Sequence, residues 1–344
     1  PGGNSARDLR MVALFIATAN VVSFLTAPGL AFTLPYVAYP RTIPMITLAA
    51  GFLGAVFPLL CHLSVRPDAH AGAGLSYLYL SNIIGSTMGG FVTGYVLMDV
   101  WPLRTICVVL AVSGLALAMA VMVPLRPHGA GRIWGVATGA ALGVLIVAFS
   151  GPLFEDLYER LQNKGRYPTT RFARIIETRS GVITVGQDGT VYGGGVYDGR
   201  FNVDLTHDTN NIIRAYAISL FHPNPREVLM IGLSSGSWAQ VIVNHPQVDK
   251  LTVVEINPGY LRLLPAYAPV AGLLRNPKVE VIIDDGRRWL LGNPDKRFDL
   301  IVMNTTYYWR SNASSLLSME FLRLIRQHLK PGGVHYYNTT SSGE

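Results

Sequence analysis

Pro223-Asn-Pro-Arg-Glu-Val-Leu-Met-Ile-Gly-Leu-Ser-Ser-Gly236 decides the fold of the half of the chain in which it lies. Val228 to Ile231 is an unbroken apolar run of strand length, the way a strand buried on both faces of a parallel sheet reads. Prolines precede it, and Gly232 and Gly236 allow a tight turn that presents backbone amides at the start of a helix. Downstream, Val253-Val-Glu-Ile-Asn257 repeats the pattern. Short apolar strands are expected at 228–232, 251–256, 279–284, 298–303 and 333–338, separated by helical stretches. That alternation is the order of a doubly wound parallel sheet.

Upstream, residues 171–205 alternate apolar and polar with glycine turns, for example Arg174-Ile-Ile-Glu-Thr-Arg-Ser-Gly-Val-Ile-Thr-Val185, which reads as a small antiparallel meander. A helix is expected at 209–220. Methyltransferase-like sheets carry two more strands after the one at 333–338, so this domain is expected to be truncated at its C-terminus.

The first half differs in kind. Of the 344 residues half are apolar, and the excess lies before residue 150. There, seven Arg and no Lys face only Asp8, Asp68 and Asp99, whereas 151–344 carries 21 Lys and Arg against 18 Asp and Glu. Apolar segments at 9–34, 41–65, 72–98, 103–124 and 132–150 each reach about the 20 residues that cross a hydrocarbon core. The first is too long for a signal peptide and lacks a small-residue cleavage site. Gly85, Gly89, Gly90 and Gly94 would let a neighbour approach the third span, and Asn82 on it seeks an interhelical hydrogen bond. No span holds an ionisable pair in its middle, which argues against an ion-coupled transporter.

The net charge of +7 forms no basic block or aromatic-interleaved stripe, so nucleic acid is not an expected partner. Cys61 and Cys107 lie in apolar runs without metal-ligand or redox spacing, so no metal site and no disulfide is expected. The domain reading is therefore 1–150 as a transmembrane domain of about five helices, 151–170 as a linker, 171–208 as a small β domain and 209–344 as a Rossmann-like nucleoside-binding domain.

Ligands on such sheets bind beyond the carboxyl ends of the strands, and four ends here carry suitable groups. Gly232, Ser234, Ser235 and Gly236 form the first turn. Glu255 ends the second strand, where a carboxylate can accept both ribose hydroxyls of a nucleoside. Asp284-Asp285-Gly286 follows the third, where a carboxylate can take an adenine amino group. Asn304 and the run Thr305-Thr306-Tyr307-Tyr308-Trp309-Arg310 follow the fourth, where a reacting group would lie. This is the constellation of an adenosyl site.

These residues resemble the spermidine synthase family of aminopropyltransferases, in its membrane-fused bacterial branch. The resemblance covers about 170–340 and rests on His222-Pro-Asn-Pro-Arg-Glu-Val-Leu-Met-Ile-Gly232, Val254-Glu255-Ile256, Asp285-Gly286 and Leu329-Lys-Pro-Gly-Gly333. The span holding Asn82-Ile-Ile-Gly-Ser-Thr-Met-Gly-Gly90 resembles the corresponding helix of the fused branch. It implies S-adenosylmethionine or its decarboxylated form as co-substrate. Two departures stand out. Family members hold the donor's amine with an acidic residue in the glycine loop, where this chain has Ser234 and Ser235. The first Asp of the family's Asp-Ser-Ser-Asp motif, which takes the proton from the attacking amine, is Asn304 here, and an amide is no general base.

The expected function is a membrane-bound transferase moving an aminopropyl, aminocarboxypropyl or methyl group to a small-molecule or lipid acceptor, with Asn304, Tyr307, His207 and Asp208 as candidate catalytic residues. His207 and Asp208 also suit a turn or cap. The alternatives are a genuine spermidine synthase and an inactive membrane subunit or scaffold. The lipid bilayer is an expected partner, and a homo-oligomer or membrane complex is compatible with the pattern. A donor made in the cytoplasm puts the soluble half on the cytoplasmic face of a bacterial inner membrane, and five spans then leave residue 1 outside.

Overall fold

The computed structural model describes residues 5–65, 68–122, 130–304 and 313–338. It divides into two compact units, Pro1–Arg171 and Phe172–Glu344.

The first unit is helical. It comprises α1 (Ser5–Thr33), α2 (Ile43–Ser64), α3 (Ala71–Val92) running through a π-helical turn into α4 (Met98–Val100), α5 (Leu103–Val121), α6 (Ala130–Phe154) and α7 (Leu157–Asn163). Among the described residues, five helical segments are long and apolar enough to cross a membrane: Arg7–Thr33, Tyr39–Ser64, Ala71–Val100, Leu103–Val121 and Ile133–Phe154. Their outward faces are apolar, while Phe24, Ala31, Ala111, Leu115, Ile146 and Phe154 pack inward. Within the stretch read as a linker, 151–170, α6 reaches Phe154 and α7 covers Leu157–Asn163. Leu157 of α7 joins that inner cluster, and the Arg160 guanidinium lies 4.2 Å from the Phe32 ring centroid and 4.3 Å from that of Tyr167.

Helix packing corrects the expectation for the third span. Among the described residues nothing comes within 4 Å of a side chain grown at Gly85, Gly89, Gly90 or Gly94, and Asn82 is exposed. The close approaches fall at Gly29, where a Cβ would meet Met45, at Gly114, where it would strike the Asn20 amide, and at Gly135 and Gly139, where it would meet Met122 and Met119. Small residues let helix backbones near one another, and here α1, α5 and α6 use them rather than α3.

The second unit is α/β. A four-stranded antiparallel sheet, β1 (Phe172–Thr178), β2 (Gly181–Gly186), β3 (Thr190–Gly193) and β4 (Val196–Arg200), pairs in sequence order. A parallel sheet follows, with β5 (Glu227–Ile231), β6 (Lys250–Glu255), β7 (Val279–Ile283), β8 (Phe298–Met303) and β9 (Leu329–Tyr337) in the order β7-β6-β5-β8-β9. The helices α10 (Ser237–Val243), α11 (Gly259–Leu263), α12 (Gly286–Gly292) and α13 (Met319–Gln327) lie between these strands. Val228, Leu229 and Met230 are wholly buried, because helices cover both faces of β5. Each such side chain contributes about 1.5–3 kcal/mol by leaving water.

Two local expectations change. The helix expected at 209–220 is two single turns, α8 (Ile213–Tyr216) and α9 (Ile218–Phe221). Asn211 at φ 56° marks the break before them, and the Asp208 carboxylate accepts the backbone N–H groups that would have begun a longer helix. The last strand starts at Leu329 rather than 333, with a register shift opposite Phe298 to Leu300 that accommodates Pro331 and Gly332.

Candidate functional site

The strand order reverses direction at β5, whose neighbours β6 and β8 carry the chain to opposite edges, and a crevice opens beyond such a switch point. Here it is a cavity of about 490 Å³, within the ~300–1,000 Å³ of small-molecule sites. Its floor is the carboxyl ends of β5, β6, β7 and β8. Its wall is the antiparallel sheet, through Arg179, Ser180, Gly181, Gly193, Gly194, Val196 and Asp198.

The floor is built by close backbone approach. Gly232 has φ 92°, and a Cβ there would lie 2.9 Å from the Asn304 carbonyl oxygen. Asn304 in turn donates its backbone N–H to the Ile231 carbonyl at 2.9 Å, so the ends of β5 and β8 are stitched together. Gly286 sits against Ile231, with room for no side chain. Gly236, at φ 74°, faces Leu264 and Leu273 and belongs to the turn rather than the cavity wall. Ser234 holds a left-handed conformation at φ 52°, and its hydroxyl donates to the Asp198 carbonyl. Ser235 points elsewhere, bonding the Ser237 hydroxyl at 3.1 Å, and lines a separate small pocket.

Glu255 is 4% exposed and lines the cavity. Its Oε2 accepts the Leu233 N–H at 2.6 Å and its Oε1 accepts the Asn257 N–H at 2.8 Å, which fixes the carboxylate and leaves lone pairs on both oxygens. Burial pushes its carboxyl up, against the effect of those two donors, and the charge of Asp198 adds to the rise. Asp285 caps α12, accepting the Arg288 N–H at 2.9 Å, and still borders the cavity beside Asp284, which pairs with the Arg288 guanidinium.

The structure thus gathers Gly232, Ser234, Glu255, Asp285, Gly286 and Asn304 around one space. It does not bring His207 or Asp208 there. The His207 side chain is 83% exposed and its Nδ1 lies 2.8 Å from Asp204 Oδ2. Burial works against ionisation of Asp208, yet the N–H groups of Ile212, Ile213 and Asn210 hold its carboxyl below the usual range. Both serve the turn. Tyr307, with the rest of 305–310, lies outside the described residues.

Sequence reading missed Asp198. It sits on β4, 8% exposed, and its Oδ2 accepts a hydrogen bond from the Tyr260 hydroxyl. Nothing in the alternating pattern distinguishes it from the other polar positions of the meander. Asn257 was also passed over. Its side chain accepts from Thr178 Oγ1 and from the Gly259 N–H, both at 2.9 Å, and donates to the Gly181 carbonyl at 3.4 Å, which ties the antiparallel sheet over the cavity.

Comparison with known proteins bears on this geometry. Residues 215–342 match the family model described as spermine/spermidine synthase domain. A polyamine aminopropyltransferase of Desulforudis audaxviator is 36% identical over 121 residues, which is 35% of this chain and 43% of that relative. The polyamine aminopropyltransferase 1 of Streptomyces coelicolor is 25% identical over 359 aligned residues, covering 96% of this chain and 65% of its own length. That alignment is longer than the second unit and so runs into the apolar helices. Among solved structures, a spermidine synthase in complex with the transition state analogue AdoDATO has a TM-score of 0.40 and 20% identity, over 46% of this chain and 55% of that one. The chain spans about half the length of the first curated relatives it matches. Residues 215–342 of this chain are thus similar to the spermine/spermidine synthase domain and, within it, to polyamine aminopropyltransferases.

Proposed function

We propose that this protein is a membrane-bound, spermidine-synthase-like transferase that takes S-adenosylmethionine or its decarboxylated form as co-substrate and passes an alkyl group to an acceptor. The observation that carries this reading is the convergence of four strand ends on one cavity in a chain with this similarity. In it the remaining lone pairs of Glu255 accept the ribose hydroxyls, and Asp285 takes the adenine amino group. Gly232 and Gly286 give the nucleoside close access to the backbone, and Ser234 keeps the turn in place. The sulfonium makes the adjacent carbon a strong electrophile, so transfer depends chiefly on holding a nucleophile in line with the leaving sulfur. The apolar helices hold the catalytic unit at a bacterial inner membrane, facing the cytoplasm where the donor is made.

Within this reading, aminopropyl transfer is favoured by a specific feature. The glycine loop lacks the family's acidic residue, but the Asp198 carboxylate borders the same cavity while its backbone touches Ser234. A carboxylate there attracts an amine and repels a donor that keeps its own carboxylate. The relatives' names, polyamine aminopropyltransferase, point the same way.

Calorimetric titration of the detergent-purified protein with S-adenosylmethionine, its decarboxylated form and methylthioadenosine tests this. Binding led by the decarboxylated nucleoside and lost in Glu255→Ala is expected. Preference for the carboxylated form would redirect the assignment to another alkyl group, and binding of none would remove the transferase reading.

A further inference from the structure

Beside the nucleoside cavity lies a second pocket of about 90 Å³, lined by Tyr197, Asn210, Asn211, Arg214 and Asn338 among others. That is room for about three waters, or for the end of one short polar group. Among the described residues, only Asp198 and Asn304 line both spaces. A group transfer between two bound molecules has to take place where their two sites meet, because the reacting atoms must come within ~3–3.5 Å of each other.

We propose, resting on the transferase reading above, that the side pocket receives the acceptor's amine and that Asp198 is the group that takes its proton. Asn304, at the place where the family resemblance puts a carboxylate, has no basic oxygen; Asp198 approaches the same junction from β4, on the other side of the crevice. Its Oδ2 is held by the Tyr260 hydroxyl, which fixes the carboxylate's orientation. Asn304 is oriented in its turn. Its Oδ1 accepts from Asn338 Nδ2 at 3.0 Å, and Asn338 Oδ1 accepts from Arg214 Nη1 at 3.1 Å. That chain leaves the Asn304 amide as a donor and positioning group.

The step balances without any further reactant. The acceptor nitrogen's lone pair attacks the carbon next to the sulfonium and a C–N bond forms. The C–S bond breaks with its electron pair going to sulfur, which leaves as a neutral thioether nucleoside. The nitrogen becomes positively charged, and its proton passes to Asp198 and then to solvent. The ionisable groups lining the two spaces with Asp198 are Arg179, Glu255, Tyr260, Asp284 and Asp285 in the first and Tyr197 and Arg214 in the second, so any pH profile has to be read against all of them.

The test uses the full chain in detergent, with labelled decarboxylated S-adenosylmethionine as donor and putrescine, 4-aminobutyrate and a native membrane extract as acceptor probes. Thioether release and donor affinity are measured for the wild type, Asp198→Asn and the double variant Asp198→Asn with Asn304→Asp. We expect kcat to fall by about 10²–10⁴ in Asp198→Asn, the range of general-base contributions, while the donor Kd, which loses only the attraction of that charge for the donor's amine, weakens by no more than about tenfold. In the double variant, a carboxylate restored at the same junction should recover at least about tenfold. Unchanged kcat in Asp198→Asn would overturn the proposal alone. So would a donor Kd weakened by the full factor lost in kcat/KM, which would make Asp198 a donor-binding group and nothing more. A wild type that binds donor but transfers to none of the probes would overturn the transferase reading together with it.

Discussion

Glu255 concentrates the physics of the site in one side chain. A buried carboxylate with two backbone N–H donors is held in place by them, yet the loss of water outweighs their help and its carboxyl rises above the ordinary value. The sign for stability follows directly. The folded form keeps the proton at a pH where the unfolded chain has released it, so this group's contribution to stability falls as pH rises from the ordinary glutamate value through the raised one. For ligand binding the direction is opposite, because only the anion offers acceptors to both ribose hydroxyls without spending one on a proton. Nucleoside affinity is therefore expected to climb as pH rises through the raised Glu255 value and then level off. Calorimetry across that range, with Glu255→Ala showing no such climb, checks it. The pattern Val-Val-Glu-Ile-Asn pointed to Glu255 from the sequence alone, because a carboxylate ending a buried strand has few other uses. Asp198 carried no such mark, being one polar residue in an alternating strand.

At the scale of elements, the antiparallel sheet matters because it closes the cavity that the parallel sheet opens. Asn257 is its principal tie, receiving Thr178 and the Gly259 N–H and reaching Gly181, while Ser180 Oγ adds a bond to the Ile256 carbonyl at 3.1 Å. Gly259 permits the approach, since a Cβ there would lie 2.9 Å from Ile183 Cδ1 and 3.1 Å from Ile176 Cγ2. Asn257→Leu would strand the buried Gly259 N–H and remove the side-chain bonds to Thr178 and Gly181. It is expected to destabilise the second unit by about 1–3 kcal/mol. Denaturant unfolding followed by tryptophan emission measures this, and donor affinity should fall in parallel as the wall loosens. The strands themselves were legible from their apolar runs, whereas the helix expected at 209–220 was not divided correctly. Its apolar spacing is helical, but the Asp208 carboxylate and the left-handed Asn211 spend the first N–H groups on a turn.

The whole molecule joins an apolar helical unit to an α/β unit within one chain, and the two follow different rules. In the first, many large apolar side chains are exposed on helices long and apolar enough to cross a membrane. The chain is expected to stay with the membrane pellet through high salt and alkaline carbonate and to need detergent for release. Fractionation followed by immunoblotting checks this, and recovery in the carbonate supernatant would count against spanning helices. Length and hydropathy alone located all five segments, because crossing a bilayer demands about 20 apolar residues whatever the neighbours do. They did not locate the packing faces. The glycines of the third span looked like contact points, but the contacts formed at Gly29, Gly114, Gly135 and Gly139, since which face meets a neighbour depends on where that neighbour lies.

What the sequence by itself determined is whatever one segment must satisfy alone. Span lengths, the buried strands of a parallel sheet, the glycine turn and the acid at a strand end are local demands of burial and backbone geometry. The tertiary structure alone decided which polar groups share a space. It brought Asp198 from a hairpin to the same two spaces as Asn304, made Asn257 a tie to the antiparallel sheet, and left His207 and Asp208 outside. Those outcomes depend on how two sheets distant in sequence lie against each other, and no spacing along the chain encodes that distance.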